Sequence, residues 1–156
     1  MKKSVPSNLE DHFGYWLRCL SNFVSHTFAE RLANHGISVA QWVVLRTLYG
    51  NEGVTLNEAA KQVGVDKSTL SRMVERLVQK GWVNRSEGPD RRSLGLMLTA
   101  TGIKLVVQSA KLADENDHAF FQALSARQRK EFLSTIKQLL TANGWNKNTR
   151  GRDRME

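Results

Sequence analysis

The residues best suited to chemistry lie between Thr55 and Val74, in the run TLNEAAKQVGVDKSTLSRMV, and just beyond it. Lys67, Ser68, Thr69, Ser71, Arg72 and Arg76 place short hydroxyls and cations within about three helical turns. Hydroxyls approach phosphates or base edges, and a guanidinium can grip a guanine through two parallel hydrogen bonds. A second cluster, Asp90-Arg91-Arg92, sits in the turn-rich run EGPDRRS. Signatures of catalysis are lacking: there is no Gly-x-Ser-x-Gly, His-Glu-x-x-His, phosphate loop or Gly-x-Gly-x-x-Gly. The histidines, His12, His26, His35 and His118, show no metal-ligand spacing beside the single Cys19. No catalytic residue, metal or cofactor is therefore assigned, and an enzyme is not expected.

These residues need elements to present them. Four Ser/Thr-x-x-Glu/Gln matches mark expected helix starts: Ser7…Glu10, Ser38…Gln41, Thr55…Glu58 and Ser125…Gln128. The spacing predicts a first helix over about 8–34, striped by Phe13, Leu17, Leu20, Val24, Phe28 and Leu32 and thickened by Trp16 and Phe23. A second follows over 39–49, then two short ones near 56–63 and 67–80, separated only by Gly64-Val65-Asp66. After Gly81 the period changes to two. Residues 82–86 and 94–98 read as a hairpin whose tip carries Asp90, Arg91 and Arg92. A long helix over 100–123 and a last one behind Ser125, carrying Phe132, Leu133, Ile136, Leu139 and Leu140, complete the order.

Two short helices joined by a tight glycine turn can seat the second in the DNA major groove. Ala60 is small where the helices approach, Gly64 suits the turn, and Asp66 is placed to cap the second helix. At about 100° per residue, Leu70, Met73, Val74, Leu77 and Val78 gather on one side of that helix. Ser68, Ser71, Arg72, Glu75, Arg76 and Gln79 lie on the other, with Thr69 at its edge. A solvated helix face shares these residue types; the Ala60–Gly64–Leu70 spacing and the adjoining hairpin favour DNA. The hairpin arginines would then meet phosphates or a narrow minor groove, whose negative potential favours inserted Arg.

The run from Ser38 to Gly102 resembles the MarR family of bacterial transcriptional regulators. The likeness rests on the helix-turn-helix, Gly81-Trp82-Val83-x-Arg85, the wing pattern Asp90-x-Arg92 and Leu98-Thr99-x-x-Gly102. Trp82 departs from it, since a smaller aliphatic residue is usual there. The resemblance implies a mainly α fold with a small β-hairpin wing: a dimerisation helix over 8–37, a winged helix-turn-helix over 38–99 and dimerisation helices over 100–142; the polar, Gly/Asn/Arg-rich composition from Asn143 predicts a basic, disordered tail over 143–156. It also implies an obligate homodimer whose lobes read a palindromic operator on double-stranded DNA. The residues agree about the dimer, because a lobe built from 38–99 cannot hide both the Phe13–Leu32 stripe and the Phe132–Leu140 face. By the same resemblance, a small aromatic carboxylate or phenolic effector binds between the dimerisation helices and the lobe and relieves repression. Candidates to hold it are His12, Tyr15, Trp16, Trp42 and Arg46, which also suit ordinary core and interface packing. Some relatives sense oxidants through a first-helix cysteine several residues farther from the second helix than Cys19; a small packing residue is the favoured reading of Cys19.

Composition is consistent with this picture. The chain has 156 residues, 40% hydrophobic and 24% charged, which argues against wholesale disorder. Its N-terminus, MKKSVPSNLEDHFGYW, places charges where a signal peptide needs an apolar core, so a bacterial cytoplasmic, nucleoid-associated location is expected. The net charge of +8 calls for an acidic partner, nucleic acid or anionic lipid. Residues 66–95 hold seven Lys/Arg against four acids, and the tail adds Lys147, Arg150, Arg152 and Arg154. That clustering on the reading elements favours DNA over a membrane surface. A winged-helix protein-interaction module, or a non-specific nucleoid-binding protein without a ligand response, is the competing class.

Overall fold

The computed structural model describes residues 6–87 and 94–145, without the side chains of Glu87 and Leu94. A short 3₁₀ turn, Leu9–Asp11, precedes α1 (Phe13–Ala33) and α2 (Val39–Leu48). Then come β1 (Val54–Thr55), α3 (Leu56–Val63), α4 (Lys67–Gln79), β2 (Val83–Glu87) and β3 (Leu94–Leu98), followed by α5 (Ala100–Phe120) and α6 (Ala126–Ala142). The fold is thus mainly helical, with one small antiparallel sheet ordered β1-β3-β2.

Three of the four expected capping boxes close: Ser38 with Gln41, Thr55 with Glu58 and Ser125 with Gln128. The fourth moves by one residue. Asn8 rather than Ser7 leads the first turn, and its N–H donates to Asp11 Oδ2 at 2.9 Å. The carboxylate two residues before Phe13 thus completes its own turn. His12 then takes an extended conformation, φ −104° and ψ 125°, so α1 starts at Phe13 and not near residue 8. Trp16 Nε1–H donates to Glu10 O at 2.8 Å and folds this turn back onto the helix. At the other end, α5 stops at Phe120 instead of continuing to 123, where the Phe121 ring meets Phe120 edge-on and Phe132 at a tilt.

The sheet holds one strand that periodicity does not reveal. Val54 pairs with Leu96 and Thr55 with Gly95, too short a run to show alternation. A Cβ on Gly95 would lie 2.9 Å from the Gly53 backbone, so a side chain there would push β1 off the sheet. β2 and β3 pair from Val83–Leu98 to Glu87–Leu94.

The core sits within the lobe. Val44, Leu45 and Leu48 of α2, Ala59 and Ala60 of α3, and Leu70, Val74 and Leu77 of α4 are all buried, closed by Val83, Leu96 and Val106. Each Leu or Val so covered contributes about 1.5–3 kcal/mol relative to exposure. α1 reaches this core only through Phe28 and Leu32, where the Phe28 ring meets Trp42 edge-on at 6.0 Å. Farther along, α1 lies on α5, joined by Asn116 Nδ2 to Val24 O at 3.4 Å and by Arg31 to Glu115 at 3.8 Å. Leu20 and Val24 of the expected stripe are half-buried, while its N-terminal part and flank are uncovered in one chain: Phe13 is 87% exposed and Phe23 67%. α6 buries no residue, and its Leu133 and Leu139 are more than half exposed. Among the described residues, no helix is long and apolar enough to cross a membrane.

Candidate nucleic-acid interface

The helix-turn-helix forms from local causes. α3 ends at Gly64, whose φ of 79° is left-handed and costs glycine nothing. Its N–H donates to Ala60 O at 2.9 Å, and Val65 N–H shares the same acceptor at 3.1 Å. Two residues later Asp66 caps α4, accepting from Thr69 N–H at 2.8 Å. Buried Ala60 and Leu70 bring the two helices together, as their spacing predicts.

α4 is two-sided. Leu70, Val74 and Leu77 face the core, with Met73 half-buried. Lys67, Ser68, Arg72 and Arg76 are exposed, while Thr69 and Ser71 are half-buried at the edge of the polar face. Val78 departs from expectation: it is 36% exposed. It lies about 80° round the helix from Leu70, at the margin of the apolar stripe, beside fully buried Leu77.

Asp66 changes what the hydroxyls can offer. Ser68 Oγ–H donates to Asp66 Oδ1 at 2.5 Å and Thr69 Oγ1–H to Oδ2 at 2.6 Å. These bonds, with that from Thr69 N–H, hold the Asp66 carboxyl well below the usual carboxylate range. A hydroxyl has one proton to give, and both are committed. Ser68 and Thr69 therefore present lone pairs, which suit the exocyclic amino groups of adenine or cytosine better than a phosphate oxygen. The sequence showed Asp66 as a cap; the Asp-x-Ser-Thr spacing also carried this further role.

The cations divide into two groups. Arg85 on β2 reaches Glu75 on α4 at 4.0 Å, a half-exposed and solvent-screened pair that partly offsets the one acid of the reading face. Among the described residues Arg72 and Arg76 have no side-chain hydrogen bond or ion pair, so their donors face solvent. Asp90, Arg91 and Arg92 lie outside the described residues, between the paired ends of β2 and β3.

The proposed effector residues fall into two places. Tyr15 and Trp16 meet edge-on at 5.2 Å near the start of α1, and His12 Nε2 lies 2.9 Å from Ser7 Oγ. Trp42 and Arg46 lie on α2, with Trp42 against Phe28 and the Arg46 guanidinium 5.6 Å from the Tyr49 ring centre. Twelve residues of α1 separate Trp16 from Phe28, about 18 Å of helix. One chain therefore does not bring the two groups together. Cys19 is a free, half-buried thiol on α1.

Residues 35–93 match the family model described as MarR family. The multiple antibiotic resistance protein MarR of Escherichia coli K12 is 33% identical over 112 residues, covering 71% of this chain and 76% of that protein. The transcriptional regulator HosA of Escherichia coli O111:H- is 29% identical over 124 residues, 77% of this chain and 90% of HosA. Among solved structures, a MarR variant from E. coli complexed with operator DNA superposes with a TM-score of 0.79 at 27% identity, covering 86% of this chain and 99% of that one.

Proposed function

The chain belongs to the MarR family of transcriptional regulators, which are DNA-binding proteins and not enzymes, and from that premise we propose that two copies of it read a palindromic operator. The observation that carries this reading is the polar face of α4, on which Arg72 and Arg76 are exposed with no side-chain partner among the described residues, opposite buried Leu70, Val74 and Leu77. Ser68, Thr69, Ser71 and Arg72 are assigned to base edges; Lys67 and Arg76 to phosphates; and Arg91 and Arg92, steadied by Asp90, to the minor groove or its phosphates. The operator complex of the E. coli relative supports the assignment of DNA as partner.

The second copy is supported by the uncovered apolar faces of α1 and α6, which a two-fold axis would bury. Regulation is proposed as repression relieved by a small aromatic carboxylate or phenol. Trp42 and Arg46 offer it an aromatic wall and a cation. His12, Tyr15 and Trp16 can join them only by way of a partner chain, given the separation within one protomer. An effector that binds best at a lobe spacing unsuited to DNA would lower operator affinity by population shift.

The test is selection of duplexes from a random pool by the purified protein, then titration with and without a panel of phenolic acids. Enrichment of an inverted repeat, released by one acid, is expected. Equal, salt-labile affinity for all duplexes would contradict the reading.

A further inference from the structure

We propose that Lys80 is a positioning residue: its ammonium clamps the end of the reading helix to the junction through which the dimerisation helices enter the lobe. The inference rests on the DNA reading above. Lys80 follows directly after α4, and its N–H still donates to Arg76 O at 3.1 Å, so the residue is continuous with that helix. Its Nζ–H donates to the Gly36 carbonyl at 3.0 Å, in the turn between α1 and α2. The same ammonium stands 4.3 Å from the centre of the Trp82 ring, a cation–π distance.

Trp82 extends the clamp to the second junction. Its carbonyl accepts from Thr99 N–H at 3.1 Å, and the Gly81 carbonyl accepts from Thr99 Oγ1–H at 2.7 Å. Thr99 is in turn the cap of α5, accepting from Gly102 N–H at 3.0 Å. The chain enters the lobe beside Gly36 and leaves it at Thr99: the Lys80 side chain ties the first crossing to the base of α4, and the backbone carbonyls of Gly81 and Trp82, directly after it, tie the second. This gives a role to Trp82, whose ring is larger than the aliphatic residue expected at that place.

Geometry explains why such a small contact matters. α4 has 13 residues, about 20 Å of helix. A tilt of about 10° at its base would carry the base-reading end by roughly 3.5 Å, close to one base-pair step of 3.4 Å. In a dimer the clamp therefore sets which half-site spacing the two helices fit.

The experiment uses the full-length protein and a duplex that it selects from a random pool, together with versions whose half-sites are one base pair closer or farther. Anisotropy titrations at several salt concentrations compare wild type, Lys80→Met, Lys80→Arg and Trp82→Leu. Lys80 is exposed, so its variants test the clamp without disturbing the core, and circular dichroism checks Trp82→Leu. Wild type is expected to favour the selected spacing at least tenfold. Lys80→Met and Trp82→Leu should each reduce that preference to threefold or less with an unchanged salt slope, and Lys80→Arg should restore it. A uniform loss on every spacing, with a salt slope shallower by about 0.9 per protomer, would make Lys80 a phosphate contact and overturn the clamp. Full spacing preference in both variants would overturn the clamp alone. A wild-type protein that selects no sequence would remove the DNA reading and the clamp with it.

Discussion

Arg72→Ala separates reading from folding cleanly. The side chain is exposed on α4 and makes no hydrogen bond or ion pair among the described residues, so its removal leaves no unpaired partner behind. Alanine is also the better helix former, and the folded state should change by less than about 0.5 kcal/mol. Binding should change far more. A guanidinium that grips one guanine contributes about 1–3 kcal/mol, and a homodimer uses it twice. The expected loss is then about 2–6 kcal/mol, roughly 30-fold to 10⁴-fold in operator affinity. Anisotropy titration on the selected duplex measures the loss, and thermal unfolding of the free protein confirms the intact fold. Substituting each base pair in turn should show relaxed discrimination at one position per half-site. Operator affinity within twofold of wild type, with every base preference intact, would refute the assignment of Arg72. A uniform loss on all sequences would instead place Arg72 on a phosphate.

Three further outcomes follow from the same geometry. Leu77→Ala empties a fully buried position under α4 and should cost about 2–5 kcal/mol in urea unfolding; a cost below 1 kcal/mol would mean that α4 is not held as described. Asp66→Asn weakens the cap, and because the folded-state pKa of Asp66 is depressed, its contribution is complete above the unfolded value near 3.9 and is lost as pH falls through the lower folded value. The difference in Tm between wild type and Asp66→Asn should stay constant from pH 7 to about 5 and shrink only below about 4; a difference that closes between pH 7 and 5 would contradict the depressed pKa. Phe13→Asp and Leu139→Asp each place a charge on an uncovered apolar face, and sedimentation should show a dimer weakened by about tenfold or more; unchanged association in both would remove those faces from the interface.

What was legible in the sequence were the features whose signal is local. Capping boxes at Ser38, Thr55 and Ser125 depend on two side chains three residues apart, and each closes as spacing predicts. The two faces of α4 follow from helical period alone, and only Val78, at the margin of the stripe, departs. Less visible was anything set by a competing neighbour. Asp11 offers a carboxylate one residue later than Glu10, and that choice ends the first turn before α1 begins. β1 exists because Gly53 and Gly95 allow two backbones to touch across about 40 residues of chain, a relation with no periodic trace. Within the interface, the hydroxyls of Ser68 and Thr69 were recognisable as polar contacts. The Asp-x-Ser-Thr spacing allows their commitment to Asp66, but the side-chain conformations that leave them acceptors are set in three dimensions. Lys80 and Trp82 were similarly hidden, since the Gly36 carbonyl that completes their contact lies 44 residues earlier.

The central claim is that two copies of this chain read two halves of one operator through α4. A footprint on the selected duplex, combined with the mass of the complex in solution, tests it most directly. The account predicts two chains per duplex and two protected half-sites centred about 10–10.5 base pairs apart. One chain per site, or featureless coverage of any duplex that vanishes at moderate salt, would contradict it.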